Sequence, residues 1–458
     1  MELVPFWYEG LAQASYLLVD GADAIVIDPA LEAEWYLEAA RARGAEIRHV
    51  LETHTHADFV SGNVELAALS GAALWVGPQA CPAFAAQTLE HGVEIPFGSR
   101  VIQVRHTPGH TPDSVTLVVP PARGASIDAP HLAMTGDTLF VGDVGRPDLA
   151  ATAHVTVTDM AHALYASLQE RVLTLPANTL VYPAHGAGSL CGKSMSSARS
   201  STIGAERLAN PALMAGDEDG FVRYVTSDLP AQPHYFARAA AMNRRGAVSR
   251  AAYTAHLRPL SPTAVAAALA GGAVVLDTRD EDIFPLGHIP ASISIALSDK
   301  LGAWAGTVLP PEAPVILLCA PATERAIALE LQRVAGDAPL GYLEGGYEAW
   351  VAAGLPIETL PETAPGAFLA AMAADPVSRP RVLDVRSETE FAEGHVAGAF
   401  NVPLTQLPHL HGQLDPGARY LVVCGSGYRS MIASSLLRRL GFRDVRNLQG
   451  GMRGIEGS

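Results

Sequence analysis

The sequence predicts an α/β protein of about three domains: a metal-bearing layered half, then two tandem α/β units with mainly parallel sheets. Three observations carry this reading. The chain has 458 residues, too many for one core at roughly 150 residues per domain. Its first ~205 residues alternate short aliphatic runs with loops rich in Gly, His and Asp. Beyond residue 258, four segments occur twice in the same order, the mark of an internal repeat.

In chain order, strands are expected at 15–19, 24–27, 49–52, 74–76, 101–106, 114–119, 131–135 and 179–182, within a metal domain spanning 1–205. Residues 206–258 read as a helical extension and linker, closing on Arg258-Pro259-Leu260-Ser261-Pro262. The repeat then gives one unit over 259–358 and a second over 359–458. Val274-Val275-Leu276-Asp277-Thr278-Arg279 recurs as Arg381-Val382-Leu383-Asp384-Val385-Arg386, and Gly287-His288 as Gly394-His395. The run ending in Cys319 recurs at Cys424, and Gly345-Gly346 as Gly450-Gly451. Alternating strand and helix in each copy argues a parallel sheet covered on both faces.

Composition sets limits on partners. An apolar fraction of 49% fits packed domains, and the net charge of −16 argues against nucleic acid. Apolar runs fall short of the roughly 18 residues a membrane span needs, and Met1–Tyr16 has no basic stretch of the kind that opens a secretory signal. The four cysteines, Cys81, Cys191, Cys319 and Cys424, follow no disulfide spacing. They suit a reducing cytosol, so a cytoplasmic location is expected.

Four segments carry the metal reading. His54-x-His56-x-Asp58 follows the strand at 49–52, and His110 lies in the turn Thr107-Pro108-Gly109-His110-Thr111. Asp137 lies in Thr135-Gly136-Asp137-Thr138, and His185 follows Tyr182-Pro183-Ala184. A lone His after a strand is ordinarily a surface group, but imidazole and carboxylate at successive strand ends can converge on one Zn or non-haem Fe. His91, His131, His154 and His162 lack such context and read as solvated or structural.

The set T-H-T-H-A-D-F, T-P-G-H-T, G-D-T-L-F and Y-P-A-H-G resembles the metallo-β-lactamase superfamily, and within it the persulfide dioxygenase branch, including its fusions to rhodanese domains. The resemblance implies an αββα sandwich over 1–205. Hydrolases of that superfamily, such as the glyoxalase II group, generally read H-x-H-x-D-H; here Phe59 stands in the last place, and a phenyl ring cannot ligate. A single metal is therefore expected. The dioxygenase pattern carries over as His54, His110 and Asp137, a set suited to Fe(II) and O2. His56, Asp58 and His185 then orient ligands or water, with His56 still open as a direct ligand, more so if the metal is Zn. Arg146 resembles the family's substrate-facing Arg, able to hold a carboxylate of a thiol bidentately. The loop 186–193 is expected to bring Cys191 and Lys193 toward the substrate; a buried structural cysteine is the alternative.

In the second copy, Cys424-Gly425-Ser426-Gly427-Tyr428-Arg429 joins a strand to a helix expected from 431. Backbone N–H groups, the helix N-terminus and Arg429 would favour a thiolate and a persulfide on Cys424. The loop is similar to active rhodanese loops, which implies sulfur transfer by Cys424 and Arg429. In the first copy Cys319 is kept, but Glu324 takes the place of Arg429, and Pro321 removes an N–H donor. That copy reads as an inactive scaffold, with Arg325 one position on. The second copy ends early, so its last helix is expected to be short or frayed.

These parts imply oxidation of a low-molecular-weight thiol persulfide by O2 to sulfite, with Cys424 passing sulfur to sulfite to give thiosulfate; the reverse order fits equally. A Zn-dependent glyoxalase II-like thioester hydrolase and a non-enzymatic sulfur carrier or sensor are the rival readings. Relatives of the metal domain commonly self-associate, which raises a homo-oligomer as an expectation.

Overall fold

In the computed structural model, all residues are described except 123, 125, 127–128, 151–154, 230, 374–378 and 457–458. His154 lies outside the described residues. The chain divides into two compact units, Met1–Ser249 and Arg250–Ser458.

The first unit holds two six-stranded sheets. One runs, in order, Glu2–Tyr8, Gln13–Asp20, Asp23–Ile27, Glu46–Leu51, Ala73–Val76 and Gln87–Thr88. The other runs Ser201–Thr202, Leu180–Pro183, Leu132–Gly136, Val115–Val119, Arg100–His106 and Glu94–Phe97. Period-two alternation sorts their side chains. Tyr16, Leu18, Ile25 and Ile27 of one sheet meet Ile102, Val104, Leu117 and Val119 of the other in a shared core. Their neighbours Leu17, Val19, Val26 and Val50 turn outward onto Tyr36 and Ala40 of the helix Ala33–Arg41. On the far side Val118, Ala133 and Val181 pack on Leu164 of the helix Val157–Ser167 and Phe221 of the helix Glu218–Thr226. This is the αββα sandwich that the sequence implied.

The strand Glu2–Tyr8 was not foreseen. It pairs antiparallel with Gln13–Asp20, Pro5 facing Tyr16, and lies at the sheet edge, where a proline's missing N–H costs no ladder bond.

The second unit contains two five-stranded sheets in which every pair is parallel. The order Pro259–Leu260, Gly341–Leu343, Val315–Leu318, Val274–Asp277, Ile293–Ser294 is matched by Glu362–Thr363, Asp444–Leu448, Arg419–Val423, Arg381–Asp384, Phe400–Asn401. The expected linker around Arg258–Pro262 is corrected here. Pro259–Leu260 is the edge strand of the first sheet, and Ser261 caps the helix Pro262–Ala270 through Ala264 N–H. Upstream, Tyr253 belongs to this unit, donating to the Gly336 and Asp337 carbonyls. The two copies share one core, in which Leu276, Ile293 and Leu301 join Leu383, Val422, Ile432 and Leu437. Among the described residues, no helix is long and apolar enough to cross a membrane.

Candidate metal centre and thiol sites

His54, His110 and Asp137 come from three separate strand ends and converge in the buried interior of the first unit. His54 Nε2 and His110 Nε2 lie 3.7 and 3.4 Å from Asp137 Oδ2. Each imidazole is fixed from behind. The Thr53 hydroxyl donates to Asp28 Oδ2 at 2.8 Å, so at 3.0 Å from His54 Nδ1 it accepts a hydrogen bond from that N–H. His110 Nδ1 donates to the Arg146 carbonyl at 3.0 Å. Both rings therefore turn an Nε2 lone pair toward Asp137, and His54 Nε2 is buried without a hydrogen-bond partner. Burial holds both histidines below their ordinary range, in the neutral form that ligates. Burial alone would raise the Asp137 carboxyl, yet the charged His185, hydrogen-bonded to it, holds it well below the usual carboxylate range. Gly145 permits the close approach: a Cβ there would lie 2.0 Å from the Asp137 carbonyl and 2.9 Å from His110 Nδ1. Two neutral imidazoles with in-pointing lone pairs and one ionised carboxylate form a donor set that fits one divalent metal ion.

Two further buried clusters flank this one. His56 Nε2 lies 3.2 Å from Asp28 Oδ1 and 3.1 Å from Glu52 Oε2, and those carboxylates raise its pKa well above the ordinary value despite burial. Its Nδ1 is buried with no partner. His185 Nε2 meets Asp58 Oδ2 at 2.8 Å, and its Nδ1 meets Asp137 Oδ1 at 2.8 Å. Burial would lower the ring, but the two carboxylates push it up to about 10. Cys191 completes that second cluster as a thiol raised by burial, Asp58 and Asp137. Phe59 is fully buried, its ring centroid 4.2 Å from His56 and 6.2 Å from His185.

Arg146 and Lys193, expected to face the substrate, each have protein partners in this structure. Arg146 is buried; Nε and Nη2 meet Asp148 Oδ1 and Oδ2 at 2.6 and 2.8 Å, and Nη1 donates to the Leu190 carbonyl. The fork assigned to a substrate carboxylate thus already holds a carboxylate, and ties the loop that carries Cys191. Lys193 Nζ donates to the Tyr224 carbonyl at 2.5 Å and lies 5.1 Å from that ring's centroid. Its charge serves the neighbouring helix.

Several site residues escaped sequence reasoning. Asp28, Glu52 and Thr53 anchor the histidines, and Asn243 clamps the motif loop by donating to the His56 and Phe59 carbonyls and accepting from Ser61 N–H. Tyr235, buried, has its hydroxyl pKa raised by burial, Asp58 and Cys191. Asn243 and Tyr235 share the helix Tyr235–Arg245, distant in sequence from every motif. Asp28 alone left a local signal, a strand-ending Asp-Pro whose aspartate adopts φ 51°.

In the second unit, Cys424 is buried at the end of the strand Arg419–Val423. Gly427 N–H and the Ser430 hydroxyl donate to its Sγ at 3.1 and 3.3 Å. The following helix starts at Tyr428, earlier than expected, because Gly427 takes φ 107° and turns the chain. The final helix Gly451–Glu456 is short but engaged: Met452 and Arg453 N–H groups hold the Cys424 and Gly425 carbonyls at 2.7 and 3.1 Å. Cys319 is half-buried, its thiol pushed up to about 11 by burial, with Glu324 and Asp277 adding to the rise. Its loop holds Ala322 at φ 68°, strained for a residue with a Cβ.

Known proteins resemble parts of this chain. The metallo-beta-lactamase superfamily model matches residues 8–185, and the rhodanese-like domain model matches 261–353 and 365–458. A bovine protein, persulfide dioxygenase ETHE1, mitochondrial, is 33% identical over 208 residues, covering 45% of this chain and 73% of that protein. A hydroxyacylglutathione hydrolase of Tolumonas auensis is 33% identical over 174 residues, 37% of this chain and 60% of its own. A metallo-beta-lactamase crystal structure from Staphylococcus aureus aligns with a TM-score of 0.65 at 28% identity, over 75% of this chain and 98% of that one. With its strand-end histidines and aspartates in that sandwich and its repeated thiol-bearing sheets later in the sequence, the chain belongs to the metallo-beta-lactamase superfamily, alongside persulfide dioxygenases, and carries two rhodanese-like domains in tandem.

Proposed function

We propose that the chain oxidises the persulfide of a low-molecular-weight thiol to sulfite with O2, and that Cys424 transfers sulfane sulfur to sulfite to give thiosulfate. The observation that carries this reading is the pairing of two in-pointing imidazole nitrogens with the single carboxylate of Asp137, beside a buried Phe59 where a further ligand would stand. That donor set is the one suited to non-haem iron, and the 33% identical bovine relative is a persulfide dioxygenase. An Fe(II) held by His54, His110 and Asp137 supplies the O2 chemistry when bound.

The protein's own residues do the rest. Thr53 and the Arg146 carbonyl fix the imidazole tautomers, and His185, bridging Asp58 and Asp137, keeps the Asp137 carboxylate ionised and aimed. The Cys191 thiol, protonated at neutral pH, lines the same interior beside Asp58 and His185 as a neutral neighbour for a persulfide sulfur. The overall reaction takes RSSH, O2 and H2O to RSH and sulfurous acid. In the second unit, a sulfane sulfur on Cys424 is attacked by sulfite; the new S–S bond forms as the cysteine thiolate leaves with the old bond's electrons.

Metal analysis of anaerobically purified protein, with O2 uptake on glutathione persulfide, tests the reading. About one iron per chain and persulfide-dependent O2 uptake are expected. One equivalent of Zn with no O2 uptake would sustain a thioester hydrolase instead, the activity named for the Tolumonas relative.

A further inference from the structure

Arg429 does not stand alone above the Cys424 loop. Its Nη1 and Nη2 donate to Glu390 Oε2 and Oε1, both at 2.7 Å, an end-on fork that fixes the guanidinium plane. Glu390 is braced in turn. It closes a capping box at the start of the helix Glu388–Glu393, where Ser387 N and Oγ donate to Oε2 at 3.1 and 3.0 Å. Arg429 Nη2 lies 3.5 Å from where a Cβ on Gly425, the first residue after the cysteine, would sit. One helix thus sets the position of a cation carried by another. The Arg429 hydrogen bonds hold the Glu390 carboxyl down to about 2, so the pair stays ionised at any working pH.

The first copy lacks both partners. Aligning Asp277 with Asp384 puts Ile283 in the place of Glu390, and aligning Cys319 with Cys424 puts Glu324 in the place of Arg429. Ile283 is 44% exposed, an apolar side chain with no packing reason to be there. A reversed pair would have kept the lock; instead the lock is gone, while the cysteine survives.

We propose that Glu390 is a positioning residue for sulfur transfer: it holds Arg429 over the Cys424 loop, and this pair, rather than the cysteine, separates a transferring copy from a silent one. The inference rests on the reading of Cys424 as the transfer thiol. In the first half-reaction the Cys424 thiolate attacks the sulfane sulfur of thiosulfate, and sulfite leaves with the electrons of the broken S–S bond. In the second, cyanide attacks the outer sulfur, thiocyanate departs, and the cysteine takes back its electron pair. Negative charge sits on the outer sulfur between the two, and the held guanidinium opposes it. An unheld Arg429 keeps its charge but loses its place. Anion binding then survives while turnover falls, a split that loss of structure alone does not produce.

The test is steady-state thiosulfate:cyanide sulfurtransfer by the full chain, with thermal melting alongside. Glu390→Gln is expected to lower kcat about tenfold or more with KM changed less than about twofold, because misplacing a charged group costs the transition state chiefly. Arg429→Lys, which keeps the charge but cannot be gripped bidentately, should show the same split. An unchanged kcat in Glu390→Gln at an unchanged melting temperature overturns the inference, as does a rise in KM alone. If the unsubstituted chain is inactive, or Cys424→Ser is active, the underlying reading of Cys424 fails instead.

Discussion

The two rhodanese-like copies keep one frame and differ at its mouth. In each, a fully buried strand-end aspartate grips the arginine two residues on: Asp277 takes Arg279 at 2.9 and 2.6 Å, and Asp384 takes Arg386 at 3.0 and 2.7 Å. In each, a histidine stacks on the phenylalanine four residues before it, His288 on Phe284 at 3.9 Å and His395 on Phe391 at 3.8 Å. The loops then part. Cys424 accepts two hydrogen bonds beside a forked Arg429, whereas Cys319 faces Glu324 with its proton held on. Repeated motifs therefore report the scaffold, and the two copies differ in the few positions between them. The first copy also supports the second: Tyr428 of the Cys424 loop reaches the Ala296 carbonyl and the Ser298 hydroxyl of the first copy, at 3.3 and 3.1 Å.

The sharpest way to break this comparison is to remove each thiol in turn. Cys424→Ser is expected to cut thiosulfate:cyanide transfer by about a thousandfold or more, as loss of a covalent nucleophile does, while Cys319→Ser leaves it unchanged. Equal losses would mean both copies transfer sulfur. Next in size is the shared frame. Asp277→Asn and Asp384→Asn each leave a largely buried arginine without its countercharge, and each should destabilise its copy by about 3–5 kcal/mol in urea unfolding. A large cost in one copy and none in the other would show that the frames are not equivalent.

Smaller effects sharpen the loop difference. The Cys319 thiol, raised to about 11, favours the folded state fully below the ordinary thiol value of 9.0, and that contribution is lost as pH rises through 11. Alkylation of Cys319 by iodoacetamide should therefore accelerate only toward pH 11. Glu324→Gln should move that profile down without restoring an ordinary thiol, since burial is the larger cause. Smallest of all, Tyr428→Phe removes the hydroxyl bridging the copies and should cost about 1 kcal/mol, read from thermal melting.

Much of this was legible in the sequence because the carriers are local. His54, His110 and Asp137 each follow a strand within a short, recognisable turn, and the repeat shows itself by recurrence. What the sequence hid is long-range. Asn243 holds the carbonyl of His56 across 187 positions, and no periodicity points to such a contact. The Arg258–Pro262 stretch looked like a linker because two prolines break any helix pattern, yet an edge strand and a helix N-terminus are the places that tolerate them. The ion pair of Arg146 with Asp148, two residues on, was hidden too, because neither charge in that loop signals which way it turns.

One measurement tests the joined account most directly: product analysis during O2 uptake on glutathione persulfide, for the unsubstituted chain, Cys319→Ser and Cys424→Ser. The account predicts thiosulfate from the first two, and sulfite at an undiminished O2 rate from Cys424→Ser. Thiosulfate from Cys424→Ser, or no O2 uptake by the iron-loaded chain, would contradict it.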